Sequence, residues 1–132
     1  MPDVNGVAIA VSAAAAFVAS AVWYVLLGNQ YAALSDAARA AAGTRPPPWK
    51  IVAELARSLV VAAVLAGLAV ELDLTTWPAA LGLGVATWVG SPVVLLAGSV
   101  LSENVPWRLA AIHAGDWLVK LLLVSCIVSL WR

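Results

Sequence analysis

The sequence predicts an all-α, polytopic membrane protein: a bundle of four transmembrane helices, with a short surface helix between the first and second. Three observations predict it. Of 132 residues, 64% are hydrophobic and only 11% charged, where a soluble domain carries roughly 25% charged residues. A sphere this small has too little interior to hide so much apolar surface from water, so lipid must solvate most of it. Finally, four apolar runs, residues 4–27, 51–72, 77–101 and 107–131, reach the length of about 20 residues that crosses the hydrocarbon core. The connections leave no room for a second domain, so residues 1–132 read as a single transmembrane unit.

The first run carries no formal charge after Asp3. Its Ala19-Ser20-Ala21 imitates a signal-peptidase site, but the basic segment expected ahead of one is missing, so the run reads as a retained helix. Asn5 and Asn29 fall at its two ends, and Trp23-Tyr24 near its close, where they should meet the interface. The connection over residues 28–50 is the longest. Its Ala-rich centre, residues 31–42, predicts one short surface helix with Gly43 as its cap. Arg45-Pro46-Pro47-Pro48 then imposes extended backbone, so the second helix starts at about Trp49. Residues 71–76 join the second and third runs, with Thr76 an N-cap and Pro78 in the first turn. Residues 102–106 join the third and fourth.

Basic residues set the orientation. Arg39, Arg45, Lys50, Arg57 and Arg108 lie on one side and only Arg132 on the other. That predicts a multi-pass protein of the inner (plasma) membrane with both termini away from the cytoplasm. Trp49, Trp77, Trp107 and Trp131 fall at helix ends, as interfacial tryptophans do.

In lipid, helices associate through close backbone approach at small residues. The first helix carries Ala8, Ser12, Ala16 and Ser20 at a four-residue spacing, and the third carries Gly82, Ala86 and Gly90, with Gly84 and Gly98 nearby. These stripes predict packing within the bundle; the alternative is a seam between two copies. Gly90-Ser91-Pro92 should break the third helix, because Pro92 removes a backbone hydrogen bond.

Ionisable groups inside the hydrocarbon are costly and usually pair or serve a function. His113, Asp116 and Lys120 share one face of the fourth helix, within an arc of about 60°. Asp116 and Lys120 are four apart in the favourable order for an ion pair. Asp116 lies roughly 13 Å and Lys120 roughly 20 Å beyond Trp107 along the helix, near the bilayer centre. Two readings stand. One is a structural salt bridge that fixes helix register. The other is a site in which His113 relays protons or binds a polar head group beside the pair. Glu54, Arg57 and Ser58 lie near the start of the second helix, where Glu54 and Arg57 either form a solvated pair or cap the mouth of a cavity running to His113. Trp88 and Trp117 fill the core or line a pocket.

No glycine-rich phosphate loop, Cys or His metal cluster, or Ser-His-Asp spacing is present, so no cofactor or metal is expected. The basic residues are too few and scattered for nucleic acid. Cys126, the single cysteine, reads as an apolar helix residue.

Several short motifs carry a resemblance. Val4-Asn5, then Trp23-Tyr24 and Gly28 through Tyr31, resemble the start of a bacterial membrane family catalogued as domain of unknown function 1761. Ala114-Gly115, Trp117-Leu118 and the closing Leu130-Trp131 resemble its end. Members of that family often follow Trp-Tyr with a Ser-Pro turn, where this chain has Val25-Leu26, and often carry Trp where this chain has Tyr31. The resemblance implies a compact four-helix unit and no particular activity.

Three functions fit the sequence. The first is a bundle, monomeric or homodimeric, that binds or moves a lipid or small molecule at His113, Asp116 and Lys120. The second is an accessory subunit docked into a larger membrane complex. The third is a membrane-embedded isomerase using His113 or Asp116 as acid or base.

Overall fold

The computed structural model describes residues 4–41 and 47–131. Gly43, Arg45, Pro46 and Arg132, which entered the reading of the connection and of the orientation, lie outside the described residues.

Helix α1 (Gly6–Leu26) starts where Asn5 caps it, its side-chain oxygen accepting from the Val7 and Ala8 amides at 3.0 and 3.2 Å. The chain turns at Leu27 into α2 (Gly28–Leu34). The single surface helix expected over residues 31–42 is instead two short helices, α2 and α3 (Asp36–Ala41). Ser35 divides them: its backbone is extended (φ −135°, ψ 122°), and its hydroxyl accepts from the Ala38 amide at 3.2 Å. Serine favours that N-cap role over a helix interior because its side chain competes for backbone amides.

Helix α4 (Pro48–Glu71) begins on Pro48, one residue earlier than expected. Proline suits the first helical position because the amide it lacks would have had no partner there. At the other end Asp73 adopts a left-handed conformation (φ 53°). The Leu74 and Asp73 amides return to the Ala69 and Val70 carbonyls at 2.9 and 3.1 Å, which is a Schellman closure with aspartate in the usual glycine position. The third span is one helical path from Trp77 to Glu103. It comprises α5 (Trp77–Trp88), a π-helical turn (Val89–Val93) and α6 (Val94–Glu103). The break expected at Gly90-Ser91-Pro92 is this turn, in which the wider winding accommodates the proline ring and missing amide. Asn104, left-handed at φ 56°, ends α6, and α7 (Trp107–Leu130) follows Pro106.

The four spans are long and apolar enough to cross a membrane, and the chain is a helical multi-pass membrane protein. Helix α7 is the shared neighbour of α1, α4 and α5, and α1 also packs on α4. The core is made of small and medium side chains, among them Ala13, Ala62, Ala66, Val124 and Val128. Large apolar residues such as Val7, Val25, Leu95 and Leu101 face outward, as do the end-of-helix tryptophans Trp49, Trp77, Trp107 and Trp131.

The two small-residue stripes behave differently. Ala8, Ser12 and Ala16 are buried between helices, and Ser20 is half-buried. Gly82, Ala86 and Gly90 face outward, and a Cβ on Gly82 or Gly90 would meet nothing within 4 Å. The intramolecular contact of the third span is made by Gly84, about 200° around the helix from Gly82. A Cβ there would stand 2.9 Å from Leu122 Cδ2 and 3.1 Å from the Leu121 carbonyl oxygen.

Candidate functional site: a polar cavity at one end of the bundle

Three spans turn one face each toward a common space, and each face repeats at i, i+3, i+4, i+7, the spacing of a single helical stripe. On α1 the stripe is Phe17, Ser20, Ala21 and Tyr24; on α7 it is His113, Asp116, Trp117 and Lys120. On α4 it is Glu54, Arg57 and Ser58, continued by Val61 in a narrow extension of the same space. Tyr31 of α2 closes the outer side. The cavity, open at one side, measures about 430 Å³. It lies toward the end of the bundle where α1 passes into α2 and α6 into α7.

At the inner end, Lys120 Nζ lies 2.9 Å from Asp116 Oδ2, and the two side chains are only 10% and 4% exposed. The ammonium also stands 4.0 Å from the centre of the Trp117 ring, a cation–π distance. Asp116 Oδ1, by contrast, is buried with no hydrogen-bond partner among the described residues. At the outer end Arg57 pairs with Glu54, both largely exposed on the surface of the bundle. The Arg57 guanidinium lies 5.9 Å from the same Trp117 ring, so this indole separates an inner cation from an outer one.

The third wall is aromatic. Tyr24 Oη and His113 Nδ1 are 2.6 Å apart; with the imidazole neutral and its proton on Nε2, the phenol is the donor. Tyr31 packs on both rings, 5.0 Å from Tyr24 and edge-on to His113 at 5.5 Å. Two indoles from flanking helices fix this stretch of α7. Trp23 donates through Nε1 to the Ile112 carbonyl at 3.0 Å, and Trp88 donates to the Ala114 carbonyl at 2.8 Å. Gly115 is the residue that lets α1 come this close, because a Cβ there would overlap the Trp23 ring.

The six residues singled out from sequence, His113, Asp116, Lys120, Glu54, Arg57 and Trp117, all line this one cavity. Of the packing residues, Ser20 also reaches it; Gly82, Ala86 and Gly90 do not. Sequence reasoning placed Trp23-Tyr24 at the interface and missed Tyr24, Tyr31 and Phe17 as cavity residues. The signal for two of them was present, since Phe17 and Tyr24 share the stripe of Ser20. Tyr31 carried no such signal, because its position depends on the turn at Leu27.

Chemically the cavity offers two carboxylates and two cations, a neutral sum, with a histidine and two phenols on one side. Among the described residues, no group of three or more His, Cys, Asp or Glu is placed to hold a metal ion. The arrangement suits a polar group that both donates and accepts hydrogen bonds.

A family model described as Protein of unknown function (DUF1761) matches residues 7–129. No curated protein and no solved structure matches the chain.

Proposed function

The chain belongs to the family described as Protein of unknown function (DUF1761), and from that premise we propose that it binds, and by binding can move, a lipid or other small amphipathic molecule within the membrane. The observation that carries this reading is the unpartnered, buried Asp116 Oδ1 beside a cavity of about 430 Å³. A buried acceptor without a donor costs about 1–3 kcal/mol, and more when charged. A bound donor removes that cost, so the site gains from a ligand what it lacks alone. The proposal includes the bacterial inner membrane, with both termini on the side away from the cytoplasm. What supports that orientation is that Arg39, Lys50, Arg57 and Arg108 lie toward the end where the cavity opens, the end that positive charge assigns to the cytoplasm.

Native mass spectrometry on the gently extracted protein tests the reading. The expected result is a discrete extra mass on the wild-type chain that is lost when Asp116→Leu is combined with Lys120→Met, the pair of changes that strands no charge and leaves the variant folded. A folded wild-type chain that carries no added mass under any extraction condition refutes it. The second reading, an accessory subunit of a larger membrane complex, draws on the outward-facing Gly82, Ala86 and Gly90. In the same spectrum it predicts a second, different polypeptide in place of the small mass.

A further inference from the structure

We infer that the ligand of this site is a zwitterionic aminophospholipid, its ammonium on Asp116 Oδ1, its phosphate on Arg57, and one acyl chain in the apolar groove beyond Trp117. This rests on the binding reading above and names the ligand class.

The argument begins with a second space. An apolar groove of about 460 Å³ runs along the outside of α4, walled by Val60, Val64 and Leu68 and, across the groove, by Pro92, Leu95 and Leu121. Arg57 and Trp117 line both this groove and the polar cavity, so the two spaces meet at one residue pair. From Arg57 to Leu68 the groove follows α4 for about 16 Å, a length equal to half of a hydrocarbon core about 30 Å thick. The polar end of this path lies about 14 Å along α4 from Pro48, and the apolar end reaches Leu68, three residues short of Glu71. A lipid drawn inward from the adjacent leaflet has that same order along its length, head group nearer the bundle end and acyl chain beyond it. The π-helical turn contributes here, since it sets Pro92 on the groove wall with its ring buried.

The head group follows from what the cavity leaves unmet. Asp116 Oδ1 needs a donor, which excludes heads that only accept. The two carboxylates and two cations sum to zero, which disfavours a net anionic head. Arg57 is exposed and planar, with donors beyond those given to Glu54, and suits a phosphate. The rings of Tyr24 and Tyr31 line the same cavity, and aromatic faces attract such a cation. A primary ammonium meets both demands on the inner side, and a quaternary one meets only the second.

The test is lipid competition. The full chain is placed in nanodiscs with equal amounts of phosphatidylethanolamine, phosphatidylcholine and phosphatidylglycerol of identical acyl chains, then released and weighed by native mass spectrometry. We expect phosphatidylethanolamine to be retained about tenfold over phosphatidylcholine, the order of one charge-assisted hydrogen bond in a desolvated site. Val64→Trp should fill the groove and reduce that retention by a similar factor; Val64 is 56% exposed, so the fold should hold. Leu95→Trp, on the opposite wall, is the second variant if the first does not fold. Equal retention of the two zwitterions, preference for phosphatidylglycerol, or indifference to both groove variants overturns the inference. A water-soluble compound retained equally by wild type and groove variants overturns it too, yet leaves the binding function standing. A wild-type chain that retains nothing sinks both.

Discussion

Replacing Lys120 by methionine isolates the energetics of the inner ion pair. Lys120 Nζ and Asp116 Oδ2, 2.9 Å apart, attract by about 6 kcal/mol at an effective dielectric of about 20. Against this stands a desolvation penalty of several kcal/mol for each ion, so the intact pair is close to neutral for stability. Removing one partner is different: Asp116, its side chain 4% exposed, would be left with an uncompensated charge. The expected cost of Lys120→Met is therefore roughly 3–5 kcal/mol. Asp116→Leu combined with Lys120→Met removes both charges and should return to within about 1 kcal/mol of wild type. Equilibrium unfolding in mixed micelles, followed by tryptophan fluorescence, reads both values. The double variant also separates fold from function, because it should unfold normally and retain no ligand. A single variant as stable as wild type would mean the carboxylate is not stranded. A double variant as unstable as the single would mean that the pair itself holds the bundle together. Either result refutes the reasoning.

Other perturbations probe the surrounding walls. Gly115→Ala drives a methyl into the Trp23 ring and should cost about 1–3 kcal/mol, partly restored when Trp23 is made smaller; an unchanged unfolding midpoint would contradict the close approach. Gly84→Ala, facing Leu122 and the Leu121 carbonyl, should cost a similar amount, whereas Gly82→Ala should stay within about 0.5 kcal/mol. Reversal of that order in the same unfolding assay would mean the third span is rotated. Tyr24→Phe removes the hydroxyl from His113 Nδ1 and should cost about 0.5–1.5 kcal/mol, with a change in the imidazole nitrogen shifts by NMR. Arg57→Ala should change stability by no more than about 1 kcal/mol, since its pair with Glu54 is exposed, but should weaken retention of the bound mass; retention equal to wild type would remove Arg57 from the site.

Much of this architecture was legible because lipid imposes a coarse rule. Runs of apolar residues at spanning length have few alternatives to helices, and Asn5 and Pro92 each act locally, so their effects could be read before any tertiary contact was known. The polar stripe of α7 was legible for the same reason, since His113, Asp116 and Lys120 share a face of one helix whatever that helix touches. Rotation about a helix axis is not local. In an evenly apolar span nothing on the chain says which face meets protein and which meets lipid, and so the spacing of Gly82, Ala86 and Gly90 leaves open whether they pack within the bundle or face outward, while Gly84 makes the contact. The division at Ser35 turned on whether one hydroxyl would cap a new helix or leave an old one continuous, a difference of about 1 kcal/mol. Tyr31 could be placed in the site only once the turn at Leu27 was known.

The i, i+4 arrangement of Asp116 and Lys120 also bears on how the chain is made. Helix α7 follows the other three spans in the chain, and it is the element that α1, α4 and α5 share. A lone carboxylate or ammonium arriving in the bilayer would have to wait for a counter-charge on another helix. This segment brings its own, on adjacent turns of the same helix, so it can partition into lipid as a nearly neutral unit before any neighbour has docked. The closing of the bundle around it can then be a separate, later event.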